Sequence, residues 1–209
     1  MTNDKEPEND PTAEIRTTIL VAAESCFEQF GIGKTTMEDV ARAATLSRAT
    51  VYRYFSDRDS LIMASVARRA RMNFGPARDH IAAWPTIGEQ IVEGICHNVT
   101  RGFRDPMVHM LVSPAAMALA NSLLVTSGKA VELTRELWEP ILLAAQERGE
   151  LRADLDLPLL CEWISELEML HISQGDEAGD IDRFRTKLRE FFVPALLPRG
   201  QAENPQAGQ

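Results

Sequence analysis

Apolar residues return at every third or fourth position along most of this chain, and nowhere do Val and Ile alternate with polar residues as a half-buried strand would require. The pattern predicts an all-α protein. Ile15, Ile19, Ala23, Phe27 and Phe30 stripe a first helix that Gly31 ends. Met37, Val40, Ala41 and Ala44 share one face of a second, shorter helix, and Thr35 with Glu38 reads as the capping box at its start. A third helix begins after Thr45-Leu46, with Ser47 as its N-cap and Val51 and Phe55 as a narrow apolar seam. Ser56 with Asp59 opens a fourth over about 57–74, carrying Leu61, Ile62 and Val66 to a stop at Gly75-Pro76.

Five more helices follow by the same spacing. They run from Pro85 to Arg104, from Pro106 to about Leu124, from Lys129 to Arg148 with Gly149 beyond, from Pro158 to Ser173, and from Asp182 to Leu197. The acidic stretch Gln174 to Asp180 is the expected loop between the last two. The boundaries that result are a disordered acidic tail over 1–13, a three-helix domain over 14–60, a larger helical domain over 61–198 and a polar tail over 199–209.

The outward residues of the third helix are unusual. Arg48, Ala49, Thr50, Tyr52 and Arg53 present guanidinium groups, a methyl, a hydroxyl and a phenol with almost no acid among them. Arg bonds guanine through two parallel N–H groups, and Ala or the Thr methyl packs on a thymine methyl. Two short helices joined by a tight turn, the second basic and aromatic, form a helix-turn-helix with a recognition helix. The segment from Ile15 to Leu61 resembles the TetR family of transcriptional regulators on three joint features. These are Thr35-Thr36 before the second helix, Tyr52-Arg53-Tyr54-Phe55 at the end of the third, and Arg58-Asp59-Ser60-Leu61 beyond it.

The resemblance implies phosphate contacts from Thr35, Thr36, Tyr54 and Arg58, base or near-base contacts from Arg48, Ala49, Thr50, Tyr52 and Arg53, and double-stranded operator DNA as the partner. It implies further that the later helices enclose an effector pocket. Phe103, Met107, Met110, Met117, Trp138 and Trp163 are its apolar candidates, and His97, Asn98 and Arg101 are its polar ones, with Arg101 suited to an anionic end. Two positions depart from the family pattern. Ala49 stands where Gly is common, and Thr45 holds the turn position usually given to Gly, so the turn either takes another conformation or stores strain.

The full sequence of 209 residues has a formal net charge of −9, which argues against a nucleic-acid partner until the chain is divided. Residues 14–75 hold nine Lys and Arg against seven Asp and Glu, a net of +2, while 76–209 carry −8 and 1–13 carry −3. DNA binding must then rest on locally placed cations. Cys26, Cys96 and Cys161 lie far apart within apolar helical patterns and read as buried thiols of a cytoplasmic protein. No apolar run reaches the length of about 20 residues that spans a bilayer, so no membrane partner is expected.

Nothing in the sequence calls for a cofactor, a metal site or catalytic machinery. Glu162, Glu166 and Glu168 read as a solvated helix face. Trp163, Leu167, Leu170, Phe184, Leu188 and Phe191 are more apolar surface than one terminal hairpin hides, which predicts a homodimer closed through the last two helices. The expectation is a ligand-responsive, homodimeric repressor released from a near-palindromic operator by a small apolar or amphipathic effector. The fourth helix, shared by both halves, is the expected mechanical link. The rival is a small helical enzyme or lipid carrier whose helix-turn-helix no longer binds DNA.

Overall fold

A computed structural model describes residues 11–111, 116–174 and 181–198. The described residues are helical, with no strand among them. Their contacts divide the chain into two compact units, Met1–Arg69 and Ala70–Gln209.

In the first unit α1 (Pro11–Phe30) packs with α2 (Met37–Ala43) and α3 (Arg48–Tyr54). Ile19, Ala23, Phe27, Val40, Val51, Phe55, Leu61 and Ile62 form its core. Phe30, the last member of the predicted stripe, is exposed instead. The α2 cap also differs from expectation. Thr36 is the N-cap: its hydroxyl accepts from Asp39 N at 3.2 Å, and its own N–H donates to Asp39 Oδ2 at 3.1 Å. The neighbouring Thr35 is 1 % exposed, its hydroxyl bonded to the carbonyls of Cys26 at 3.1 Å and Gly31 at 3.0 Å. Two overlapping frames fit a capping box, and the inward turn of Thr35 selects the second.

The α2–α3 turn resolves the alternative posed by Thr45. Its φ is +56°, and it is the one non-glycine residue with positive φ among the described residues. Leu46 N donates to Ala41 O at 2.9 Å and Thr45 N to Arg42 O at 3.1 Å, the paired bonds of a Schellman ending. The turn therefore keeps its usual geometry and holds a β-branched residue in left-handed backbone, which costs about 1–2 kcal/mol.

α4 (Arg58–Ala82) begins at Asp57, whose Oδ1 accepts Ser60 N at 2.7 Å, so the cap is Asp57 where Ser56 with Asp59 was expected. It also runs through the predicted stop at Gly75-Pro76. A side chain before proline is pushed out of helical backbone by the ring, and Gly75, with no Cβ, avoids that clash. Beyond the proline, Ala77 and Ile81 are buried in the core of the second unit, which rewards continuing the helix.

The second unit contains α5 (Ile87–Arg104), α6 (Pro106–Leu111), α7 (Met117–Ala120), a π-helical turn (Asn121–Thr126), α8 (Lys129–Glu147), α9 (Leu157–Gln174) and α10 (Ile181–Lys187). A second π-helical turn (Leu188–Phe192) and α11 (Val193–Leu196) follow. The single helix expected from Pro106 to Leu124 is thus broken, and part of it, like most of the expected loop Gln174 to Asp180, lies outside the described residues. Pro140 sits within α8, leaving the Glu136 carbonyl without its helical donor; Arg78 Nη2 supplies one at 3.0 Å. Glu93, buried on α5, accepts from Arg185 at 2.9 Å and from Arg189 at 2.7 Å, which ties the last helices to α5.

Candidate nucleic-acid interface and effector domain

Ser47 caps α3 by accepting Thr50 N at 3.0 Å, and its hydroxyl lies 2.8 Å from Thr50 Oγ1. The Thr50 hydroxyl is therefore half committed to the cap, and its methyl is the freer group. Val51 and Phe55 face the core, which leaves Arg48, Ala49, Tyr52 and Arg53 exposed and Tyr54 half-buried. The cations are held over rings: Arg48 Cζ lies 5.4 Å from the Tyr52 centroid and Arg53 Cζ 5.3 Å from that of Tyr54. Such stacking limits the rotamers that each guanidinium must give up on binding.

Two acids near this surface are occupied. Asp39 and Asp57 serve as caps, and hydrogen bonds from Thr36 and from the Ser60 backbone hold their carboxyls below the usual range. Glu24 accepts Arg68 Nη1 at 2.9 Å, with Arg69 nearby at 3.5 Å, so those two cations are paired away from the recognition helix. Thr36 remains exposed beside the helix start, but the buried Thr35 hydroxyl has no access to a phosphate, which corrects that assignment. Arg58 Nη1 donates to the Gly33 carbonyl at 3.0 Å, fixing the loop that precedes α2 as well as standing near it. Arg16, not singled out by motif, lies with Cζ 5.1 Å from the Phe55 ring. No spacing rule in the sequence points to it.

In the second unit, Trp138 is fully buried and its indole N–H points to Glu168 Oε1 at 3.4 Å; Asn98 Nδ2 donates to the same oxygen at 2.9 Å. Glu168 is buried, a correction to its reading as solvated, and burial pushes its carboxyl up to about 7. His97 stacks on His80 with centroids 4.3 Å apart, and burial lowers its pKa, so the ring is neutral near pH 7. Met107 is buried, Phe103 and Met110 are half-buried, and Arg101 is exposed, which removes it from the interior set. The side chain of Met117 lies outside the described residues. Burial raises Cys96 and Cys161 to about 12, the behaviour of inert thiols.

The expected interface residues divide. Phe184 and Leu188 are buried in the unit's own core and are withdrawn from the surface set. Trp163 and Leu170 are each 50 % exposed and Phe191 80 %, and Leu159, missed in the sequence, is 62 % exposed. Trp163 meets Phe192 edge to face at 5.2 Å, which leaves its other side outward. Among the described residues, no group of three His, Cys, Asp or Glu could hold a metal, and no helix is long and apolar enough to cross a membrane.

A capped two-helix reader bearing stacked arginines, followed by a separate helical unit with its own core, defines a helix-turn-helix transcriptional regulator. Residues 19–65 match the family described as bacterial regulatory proteins, tetR family. The HTH-type transcriptional repressor KstR2 of Rhodococcus jostii (strain RHA1) is 23 % identical over 176 residues, 79 % of this chain and 82 % of that protein. The HTH-type transcriptional regulator Rv1255c of Mycobacterium tuberculosis (strain ATCC 25618 / H37Rv) is 47 % identical over 53 residues, 25 % of this chain and 26 % of its own length. The crystal structure of the TetR family repressor AlkX from Dietzia sp. strain DQ12-45-1b, implicated in biodegradation of n-alkanes, superposes with a TM-score of 0.64 at 26 % identity, covering 91 % of this chain and 97 % of that one. Residues 19–65 carry the tetR-family DNA-binding domain, and the whole chain resembles TetR-family repressors in sequence and fold. These resemblances favour a transcriptional regulator over the rival reading.

Proposed function

We propose that this protein is a homodimeric repressor that leaves a near-palindromic operator when its second unit binds a small apolar or amphipathic effector. The observation that carries the reading is the exposed, acid-poor face of α3, where Arg48 and Arg53 are stacked on Tyr52 and Tyr54. Thr36, Arg48, Ala49, Thr50, Tyr52, Arg53, Tyr54 and Arg58 are its DNA-contacting set, Arg53 reading a base and Thr36, Tyr54 and Arg58 meeting phosphates. Two copies related by a two-fold axis carry two readers to half-sites about 34–36 Å apart or further.

α4 is a single continuous helix from Arg58 to Ala82, and the division between the two units falls within it. An effector that displaces this helix lowers operator affinity by about 1–3 kcal/mol, and operator DNA weakens the effector by the same factor. Resemblance to the repressors KstR2 and AlkX supports repression over activation. Selection of genomic fragments by the purified protein, followed by gel shifts over a range of salt, tests the reading. Recovery of a palindromic motif with a steep salt slope is expected; fragments bound without any shared motif would remove it.

A further inference from the structure

The buried polar atoms of the second unit are unevenly satisfied. Glu168 is nine-tenths buried on α9, and both of its donors, Asn98 Nδ2 and Trp138 Nε1, reach Oε1. Oε2 has no hydrogen-bond partner among the described residues, although an ionised carboxylate has about four acceptor positions. One residue before Asn98 on α5, His97 has Nε2 buried and unpartnered, with its ring stacked on His80 of α4. Asn73 Oδ1, on the face of α4 that also carries His80 by helical spacing, is likewise buried and unpartnered. Polar atoms in a protein interior are nearly always paired, and an exception calls for an explanation such as an absent ligand group.

We infer that Glu168, with Asn98 and the neighbouring His97, receives the polar end of the effector, and that this end is an alcoholic or phenolic hydroxyl on an apolar body. The inference rests on the reading of the second unit as effector-binding. A hydroxyl donates and accepts, so it satisfies Oε2 of Glu168 in either protonation state and suits a neutral imidazole equally. An anion fits poorly. It would face a buried acid without a cation, because Arg101 is exposed and Arg185 and Arg189 are bound to Glu93. An ammonium donates only, so it serves Oε2 when Glu168 is ionised but accepts neither from the protonated carboxyl nor from a His97 Nε2–H, whereas a hydroxyl fits every one of these forms.

Calorimetric titration of the full chain at pH 7.5 with 1-octanol, octanoate and octylamine, and with 2-naphthol and 2-naphthoate, tests this. At least one alcohol or phenol is expected to bind tenfold or more tightly than the acid of its own skeleton, and more tightly than the amine. In Glu168→Gln, whose melting temperature should match or exceed that of the parent, the carboxylate should gain at least tenfold, while Arg101→Ala should leave every ratio unchanged. Equal binding of alcohol and carboxylate, preferential binding of the amine, no binding by any hydroxyl probe, or an unchanged ratio in Glu168→Gln would each overturn the inference. The regulator reading is judged separately: a chain that selects a DNA motif but binds no hydroxyl probe loses only the inference, whereas one that selects no DNA loses the reading itself.

Discussion

Gly94 on α5 meets the indole of Trp138 on α8 so closely that a Cβ at position 94 would lie 2.5 Å from Cη2 and 2.7 Å from Ile81 Cγ1. The ring is rigid and fully buried, so the backbone would have to move. Gly94→Ala is expected to destabilise the second unit by about 1–3 kcal/mol in urea unfolding. Gly102→Ala should cost less, since its Cβ would meet Ile172 Cδ1 at 2.6 Å, the flexible end of a side chain. Equal costs would show that the ring gives way as easily as the isoleucine.

Thr45 offers the opposite case, a position where glycine should help. Releasing a β-branched residue from φ +56° recovers about 1–2 kcal/mol, less about 0.5–1 kcal/mol for the extra freedom of glycine in the unfolded chain. Thr45→Gly is expected to raise the stability of the first unit by about 0.5–1 kcal/mol, and Thr45→Val to raise it not at all. A gain in the valine variant would place the cost in the hydroxyl and not in the backbone.

Arg53 at the end of α3 and Arg58 at the start of α4 should separate by assay. Arg53→Ala is expected to cost about 1–3 kcal/mol at the selected site while hardly changing non-specific binding. Arg58→Ala should weaken both and lower the salt slope by about 0.9. Because Arg58 also bonds the Gly33 carbonyl, its loss should lower the stability of the first unit by about 0.5–1.5 kcal/mol, which Arg53→Ala should not do. Identical profiles for the two variants would dissolve the division of labour.

Glu168 makes stability depend on pH. Its folded-state value of about 7 lies above the ordinary 4.5, so the folded chain binds more protons across that window and stability falls as pH rises through it. The contribution is fully present below pH 4.5, is lost by pH 7 and above, and is on the order of 3 kcal/mol. Thermal unfolding of the parent and of Glu168→Gln between pH 5 and 8 checks this. The variant should show the smaller decline, and parallel curves would mean that Glu168 is ionised at ordinary cost.

Exposed and buried apolar residues of the last helices call for different substitutions. Leu170→Arg with Phe191→Arg should give a folded monomer with weak operator affinity in sedimentation and gel shift. Leu188→Arg should instead unfold the second unit, because Leu188 is 2 % exposed within its own core. A Leu170 and Phe191 double variant that remains dimeric would put the interface elsewhere.

The sequence by itself determined the helical class, the reader and most helix starts, because these depend on interactions within a few residues. Ser47 capping α3, Gly31 ending α1 and the seam of Val51 and Phe55 are local facts, and the family motif is contained in the same short span. Tertiary structure decided what depends on residues far apart. Thr35 yielded the cap to Thr36 because the Cys26 carbonyl, nine positions away, takes its hydroxyl. α4 passed Pro76 because a core was available to Ala77 and Ile81 beyond it. Glu168 belongs to a helix whose sequence suggests a wet face, yet Asn98 and Trp138 surround it from two other helices. Helical periodicity identifies which side chains share a face; which faces water never reaches is set by the elements packed against them, and that information is distributed over the whole chain.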